Sequence, residues 1–171
     1  MYKSILIILL CFSALFAARQ RYSSYWEWGP RVSLVFVDAD EGGLGGGIHF
    51  KNDFHKNFQF CPNIEFAYAE SDNSYYDPRD DVWYNYSIFE TSINWDLKLY
   101  PIRGSVCPYF GMGLAAPIMT RINDNYDYIY QNDVDFGANL LFGIDFDNFF
   151  LELKNKFSGY NTFKFTFGMN L

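Results

Sequence analysis

Two histidines, three cysteines and six prolines are all that this 171-residue chain has of those types. Three cysteines cannot build the multi-bridge framework of small secreted domains, and thirteen glycines are far too few for a collagen-like repeat. Basic residues are also scarce. Thirteen Lys and Arg stand against twenty Asp and Glu, a formal charge of −7. That balance argues against nucleic acid as a partner, because phosphate neutralisation needs a basic surface. Beyond the first residues no run of about 18 apolar residues occurs, so no helix is expected to cross a membrane. No helical pattern of ten or more residues appears there, and no Pro/Ser-rich linker divides the chain, whose length suits one domain. What is abundant is aromatic: 19 Phe, 14 Tyr and 4 Trp make 22% of the residues, which excludes a disordered chain.

The first 17 residues read as a secretory signal peptide. Lys3 supplies a positive start, an apolar stretch follows to Phe16, and Ala17-Ala18 offers small residues for cleavage. The stretch is shorter than the ~20 residues a membrane span requires. A lipid-modified cysteine at Cys11 is disfavoured by the bulky Leu10 before it. Residues 18–29 are then expected to be a short periplasmic lead, and residues 30–171 the folded domain.

That domain is patterned with period two. Phe163, Phe165, Phe167, Met169 and Leu171 alternate with Lys164, Thr166, Gly168 and Asn170. Phe136, Ala138, Leu140, Phe142, Ile144 and Phe146 alternate with small and polar residues in the same way, as do Ile93, Trp95, Leu97 and Leu99. Successive strand residues point to opposite faces, so each stretch is a strand with one apolar face. Eight such segments are predicted, near 30–38, 43–51, 58–70, 83–100, 106–121, 134–146, 148–157 and 161–171. Residues 71–82 and 122–133 are expected to be long polar loops, and 52–57 and 101–105 short turns.

The two faces decide the class. A soluble barrel turns its apolar face inward, whereas a membrane barrel turns it to lipid and leaves polar groups in the lumen. Six positive residues, Arg31, Lys51, Lys98, Lys154, Lys156 and Lys164, fall on the polar faces. Six negative residues, Glu65, Glu90, Asp96, Asp135, Asp145 and Glu152, fall there too. Balanced charge is what a narrow closed interior requires, because an unpaired buried charge is very costly. Glycines such as Gly45, Gly47, Gly111, Gly113, Gly137, Gly143 and Gly168 share these faces, which suggests crowding on that side. Trp83, Tyr84, Tyr86, Tyr109 and Phe110 lie near segment ends, where interfacial aromatic belts are expected. The reading is all-β: an eight-stranded antiparallel up-and-down transmembrane β-barrel.

Three stretches carry a family resemblance: Cys107-Pro-Tyr-Phe-Gly-Met-Gly-Leu-Ala, Val134-Asp-Phe-Gly-Ala-Asn-Leu-Leu-Phe-Gly-Ile-Asp-Phe and Phe163-Lys-Phe-Thr-Phe-Gly-Met-Asn-Leu171. Over about its last two-thirds the chain resembles the small outer-membrane barrels of the opacity-protein and OmpA/OmpX-like class. The resemblance implies residence in the outer membrane after export, with lipid and lipopolysaccharide as neighbours, and a monomer. Such barrels as a rule end in Phe, and this chain ends in Leu171.

Chemistry is hard to place. His49 falls on an inward face and His55 in a short turn, so neither meets a nucleophile at the outer rim, and no catalytic residue, cofactor or metal is assigned. Gly43-Leu-Gly-Gly-Gly lacks the following helix that a phosphate loop needs. Asp38-Ala-Asp-Glu-Gly has His49 where a calcium loop carries a bidentate Glu. Asp72, Asp77, Asp80, Asp81, Asp124, Asp127 and Asp133 read as solvated loop charge. Cys61 and Cys107 both fall on the inward register and form a candidate disulfide, with one strand between theirs. The expected contact surface is the tyrosines of the long loops, Tyr75, Tyr76, Tyr126, Tyr128 and Tyr130, since tyrosine combines contact area with a polar tip. The reading is a non-enzymatic envelope scaffold used for adhesion or surface interaction. The alternatives are a small-solute pore, a soluble periplasmic or secreted barrel that binds a hydrophobic ligand, and an envelope lipid hydrolase.

Overall fold

Alternation of apolar and polar residues produces nine strand segments in a computed structural model of the chain. The structure describes residues 25–37, 41–77, 82–102, 104–123, 129–146, 148–159 and 161–171. The segments are β1 (Trp26–Val37), β2 (Glu41–His55), β3 (Phe58–Asp77), β4 (Val82–Leu99), β5 (Cys107–Asn123), β6 (Ile129–Val134), β7 (Gly137–Phe146), β8 (Phe149–Phe157) and β9 (Thr162–Met169). Each pairs antiparallel with its chain neighbour, except that β6 and β7 both pair with β5. They form one barrel strand, interrupted at Asp135 and Phe136. Pairing of β1 with β9 closes the sheet, Arg31 lying opposite Gly168 and Val37 opposite Thr162. The result is a closed, eight-stranded, up-and-down antiparallel barrel. Closure matters because it leaves no unpaired edge in the spanning region, where no water could satisfy one.

The faces are reversed relative to a soluble protein. Val32 is 59% exposed, Leu114 56% and Phe142 53%, while Glu152, Lys154 and Lys156 are each 1% exposed. Aliphatic side chains and phenylalanines share the middle of the outer surface, through Val32, Leu34, Ile64, Ile93, Phe142 and Phe165. Rings continue to its ends: Trp28, Phe50 and Phe149 near the end that holds the C-terminus, Phe36, Tyr68, Phe89 and Phe157 near the other. From Trp28 to Phe36 is eight residues, about 26 Å along a strand. At the usual tilt of ~40° that stretch rises about 20 Å, most of the apolar band of ~25 Å found on transmembrane barrels. An apolar-cored soluble barrel would show the opposite arrangement.

Several boundaries differ from the sequence reading. β1 starts at Trp26, so the last part of the expected lead belongs to the sheet. His55 is the last residue of β2 and not part of a turn. The two expected loops are mostly strand: β3 runs to Asp77 and β4 restarts at Val82, while β5 runs to Asn123 and β6 spans Ile129–Val134. Outside the spanning region neither face needs to be apolar, so the period-two signal fades although backbone pairing continues. The signal peptide and Cys11 lie outside the described residues.

The outward position of Phe142, mid-strand on β7, gives a direct test. Phe142→Arg should lower folding stability by about 2–4 kcal/mol, and Phe142→Leu by less than about 1.5 kcal/mol. Urea titrations of refolding into lipid vesicles measure both; equal losses would mean that Phe142 does not face lipid.

Candidate functional site

Inward positions at mid-barrel converge on one ion-pair network. Arg31 on β1 reaches Glu152 on β8 (Nη2 to Oε1, 2.6 Å) and Glu65 on β3 (3.1 Å). Lys98 on β4 takes the other oxygen of Glu152 at 2.8 Å. Lys154 joins Glu65 at 2.9 Å and Asp96 at 2.8 Å. Lys164 bridges Glu65 at 2.8 Å and Glu90 at 3.2 Å, and Lys156 completes the chain on Glu90. Five cations and four anions are therefore linked without a break across β1, β3, β4, β8 and β9. Each is 3% exposed or less.

Uncharged side chains saturate the remaining lone pairs. Asp96 accepts from Asn63 Nδ2 and Asn139 Nδ2, each at 2.8 Å, and Asn94 joins those two asparagines at 3.0 Å. Tyr109 donates its hydroxyl to Glu152 Oε2 at 2.8 Å. Lys98 Nζ sits 4.3 Å from the Tyr109 ring centroid and 4.7 Å from that of Phe150, a cation–π cage around a buried ammonium. The guanidinium of Arg31 lies 5.7 Å from the same Phe150 ring, on which its Nε and Nη1, otherwise without hydrogen-bond partners, can rest.

Two apolar clusters cap this layer. Val35, Val37, Ala67, Ala69, Ile88 and Met119 fill the end opposite the C-terminus. Tyr100, Cys107 and Tyr109 fill the other end, where Tyr100 Oη lies 3.0 Å from both Gln59 Oε1 and Asp145 Oδ2. Asn170 Nδ2 donates to Asp145 at 3.2 Å, and Asn170 Oδ1 lies 3.2 Å from His49 Nε2. Glycine makes this density feasible: a methyl group at Gly168 would overlap the Phe150 ring, and one at Gly143 the Tyr109 ring.

Of the twelve charges expected in the lumen, nine form the network and three stand apart. Lys51 is near the barrel end, paired at 2.8 Å with the half-exposed Glu27. Asp145 belongs to the Tyr100 and Asn170 cluster. Asp135 lies at the break between β6 and β7, where the backbone N–H groups of Gly159 and Phe136 bond its carboxylate and hold it below the usual aspartate range. The balance of the buried set is thus +1 and not zero, because Asp135 and Asp145 sit at strand ends beyond the packed middle.

Two further expectations change. Cys61 and Cys107 are both buried, and both are free thiols. Cys61 pairs with Asp96, and Asp96 with Gly113. Cys107 is therefore six residues from the level of Cys61, about 20 Å along the strand, far beyond disulfide reach. Its Sγ–H donates instead to the Gly104 carbonyl at 2.8 Å. Tyr109 is not part of an aromatic belt: it is fully buried and belongs to the ion-pair layer. Sequence reasoning also passed over Asn63 as a bridging residue. Its inward register was visible, but which carboxylate it would meet depends on barrel stagger. His49 is buried edge-on against Phe150, ring centroids 5.0 Å apart. Tyr75 and Tyr76 lie within the backbone of β3 and Tyr130 within β6; Tyr126 and Tyr128 lie outside the described residues.

Above the packed interior two hairpins project past the rest of the barrel. The last β2–β3 pair is Gly43 with Ala69, yet β3 continues to Asp77, paired with β4. β5 continues to Asn123 and pairs there with both β4 and β6. β3 and β4 outgrow the barrel by roughly 25 Å of strand on β3, and at the base of this projection β4 pairs with β5 up to Tyr86 and β5 with β6 up to Ile122.

Glu152 holds Arg31, Lys98 and the Tyr109 hydroxyl, so Glu152→Gln should cost about 3–5 kcal/mol by leaving Lys98 and Arg31 partly uncompensated. Adding Lys98→Met should recover part of that loss, and a double-mutant cycle in vesicle refolding reads it. The free-thiol assignment predicts that both cysteines alkylate in denaturant without reductant, seen as two added labels by mass spectrometry. An unlabelled, disulfide-linked pair would contradict the register.

No protein-family model and no curated protein sequence matches the chain. Solved structures do. The Neisserial surface protein A, NspA, superposes with a TM-score of 0.56 at 10% identity, over 88% of this chain and 99% of that one. Ail, the attachment invasion locus protein of Yersinia pestis, aligns at 13% identity and a TM-score of 0.47, over 86% of this chain and 97% of that one. With the lipid-facing apolar surface, the closed sheet and the likeness to NspA, the chain has the fold of the small eight-stranded outer-membrane β-barrels.

Proposed function

We propose that the chain is a non-enzymatic protein of the outer membrane, reached by signal-peptide-dependent export, and that its barrel holds a projecting sheet outside the cell for adhesion or surface interaction. The observation that carries this reading is how charge divides between the barrel and the sheet. Residues 70–87 and 120–135, which contain the projecting strands, hold nine of the twenty carboxylates and only two of the thirteen basic residues. Their charge is −7, against −8 for residues 18–171, which hold 12 basic and 20 acidic residues. A spanning unit with most of the surplus charge on one projection is a scaffold with a display. Tyr75, Tyr76 and Tyr130 lie on those strands, with the contact properties noted above. The spanning face meets outer-membrane lipid, including lipopolysaccharide, as a monomer. The name of Ail speaks of attachment and invasion; that is a property of Ail, and here adhesion rests on the projecting sheet.

The rivals are weaker. A ligand-binding soluble barrel would need an apolar cavity, and the interior is polar and packed. A solute pore would need a water column through the ion-pair layer. Eight strands enclose only enough space for side chains, and the hydroxyl and ring contacts of Tyr109 and Phe150 lock the layer.

Three measurements check this. The unboiled protein should migrate differently from the boiled protein in detergent gels and fractionate with outer membranes. Protease or an impermeant label on intact cells should reach the segments 70–87 and 120–135 but not the turn at 56–57. In planar bilayers the refolded protein should give no steady conductance; large ohmic steps from every inserted unit would favour the pore.

A further inference from the structure

One amide on the lipid-facing side of β2 is buried without a partner. Following ladder partners once round the barrel from Phe36 returns to β1 at Trp26, ten residues lower. Ten residues at ~3.3 Å and a tilt of ~40° descend about 25 Å, the height of the apolar band on such barrels. Asn52 is the ladder partner of Trp26, so it lies where that band ends, on the side of the C-terminus. Period two places it in an outward row, after Leu44, Ile48 and Phe50, all of them exposed. Yet Asn52 itself is only 6% exposed. Rings surround it: Trp26 and Phe60 directly opposite on the neighbouring strands, Phe50 and Phe54 two residues away on β2. Among them Asn52 Nδ2 is buried with no hydrogen-bond partner among the described residues. An unpaired buried donor is destabilising, and an aliphatic side chain of similar size would avoid that cost.

We infer that Asn52 and the rings around it form a site for one glycerophospholipid of the inner leaflet, with the Asn52 amide donating to an acyl-ester carbonyl. This rests on the reading of the projecting strands as an outward display, which puts the C-terminal end of the barrel at the inner leaflet. The chemistry selects the ligand. Nδ2 offers only N–H, and an ester carbonyl only accepts. Ester carbonyls lie where headgroups meet hydrocarbon, which is the depth the register gives to Asn52, and aromatic rings favour the same boundary. Facing hydrocarbon, such a bond has little water to compete with it. Trp26 is the cover that turns aside: it is 38% exposed, opens β1 and forms the last pair of the β1–β2 ladder. Asn155 provides the contrast. It lies on the outward row of β8, opposite Phe163 near the other end of the barrel, and is partly exposed with no ring that must move.

The test uses the full-length barrel in detergent micelles, with native mass spectrometry counting bound lipid. The probes are a phosphatidylethanolamine with two acyl esters and its diether analogue, equal in headgroup and chain length. One diester lipid per barrel is expected to survive release from the micelle. The diether lacks the acceptor and should bind at least about tenfold more weakly, or ~1.4 kcal/mol. Asn52→Leu keeps the volume, removes the donor and should cause the same loss for the diester, with no further loss for the diether. Asn155→Leu should change neither. Infrared spectra of a diester lipid labelled with carbon-13 at its carbonyls supply a second readout. A bonded carbonyl absorbs at lower frequency, and Asn52→Leu should remove that component. Heat-modified gel migration verifies that each variant keeps its barrel, and the diether comparison needs no variant. Equal retention of diester and diether, or of the diester by Asn52→Leu, would mean that ring and headgroup contacts hold the lipid, and the inference fails. Labelling on intact cells that reached the turn at 56–57 and not the projecting segments would instead overturn the display reading and the leaflet assignment, whatever the lipid does in micelles.

Discussion

Everything in this barrel depends on pairing charges that have been taken out of water. Nine ionised side chains occupy a space wide enough only for side chains. Moving each alone from water would cost many kcal/mol, and opposite partners at 2.6–3.2 Å offset that cost only with good geometry. The asparagines on Asp96, the Tyr109 hydroxyl on Glu152 and the rings around Lys98 supply the geometry. The same arrangement explains the glycines, since Phe150 and Tyr109 can enter the lumen only where the facing strand has no side chain. It also explains why the interior is a plug: each ion pair spans different strands, so opening a channel would break contacts that hold the cylinder together.

The outer surface follows from the opposite constraint. Lipid offers no hydrogen bonds, so the backbone must be satisfied within the sheet and the outward side chains must be apolar. The barrel meets this by closing β1 on β9. Beyond the bilayer the constraint lapses, and backbone pairing of β3 with β4 continues to Asp77 and Val82. Most of the chain's net charge lies in the stretches of sequence that contain these strands. Spanning unit and projection are thus solutions to different solvents, made from the same antiparallel pairing.

Much of this was legible from residue order alone. Alternation along 163–171 and 136–146 identified strands and their faces, and the polar identity of one face identified the inward side. Arg31, Lys98, Glu152 and Lys164 could be assigned to the lumen because a side-chain period of two leaves only two choices. Loops were less legible. Residues 71–77 and 129–133 continue the ladder without an apolar face, so the pattern that marks spanning strands is silent there. The cysteine pair misled because both residues share a face while stagger sets them six residues apart.

Sequence by itself determined the strand content, the inward and outward faces and the class of barrel, because each follows from local alternation and the cost of placing charge in lipid. Only the tertiary structure decided which cation meets which carboxylate and that Tyr109 points to Glu152. It also decided that the thiols stay apart and that, among the described residues, β6 pairs with β5 alone. Those facts depend on register and stagger around a closed sheet, which are properties of all eight strands together and of no single stretch of residues.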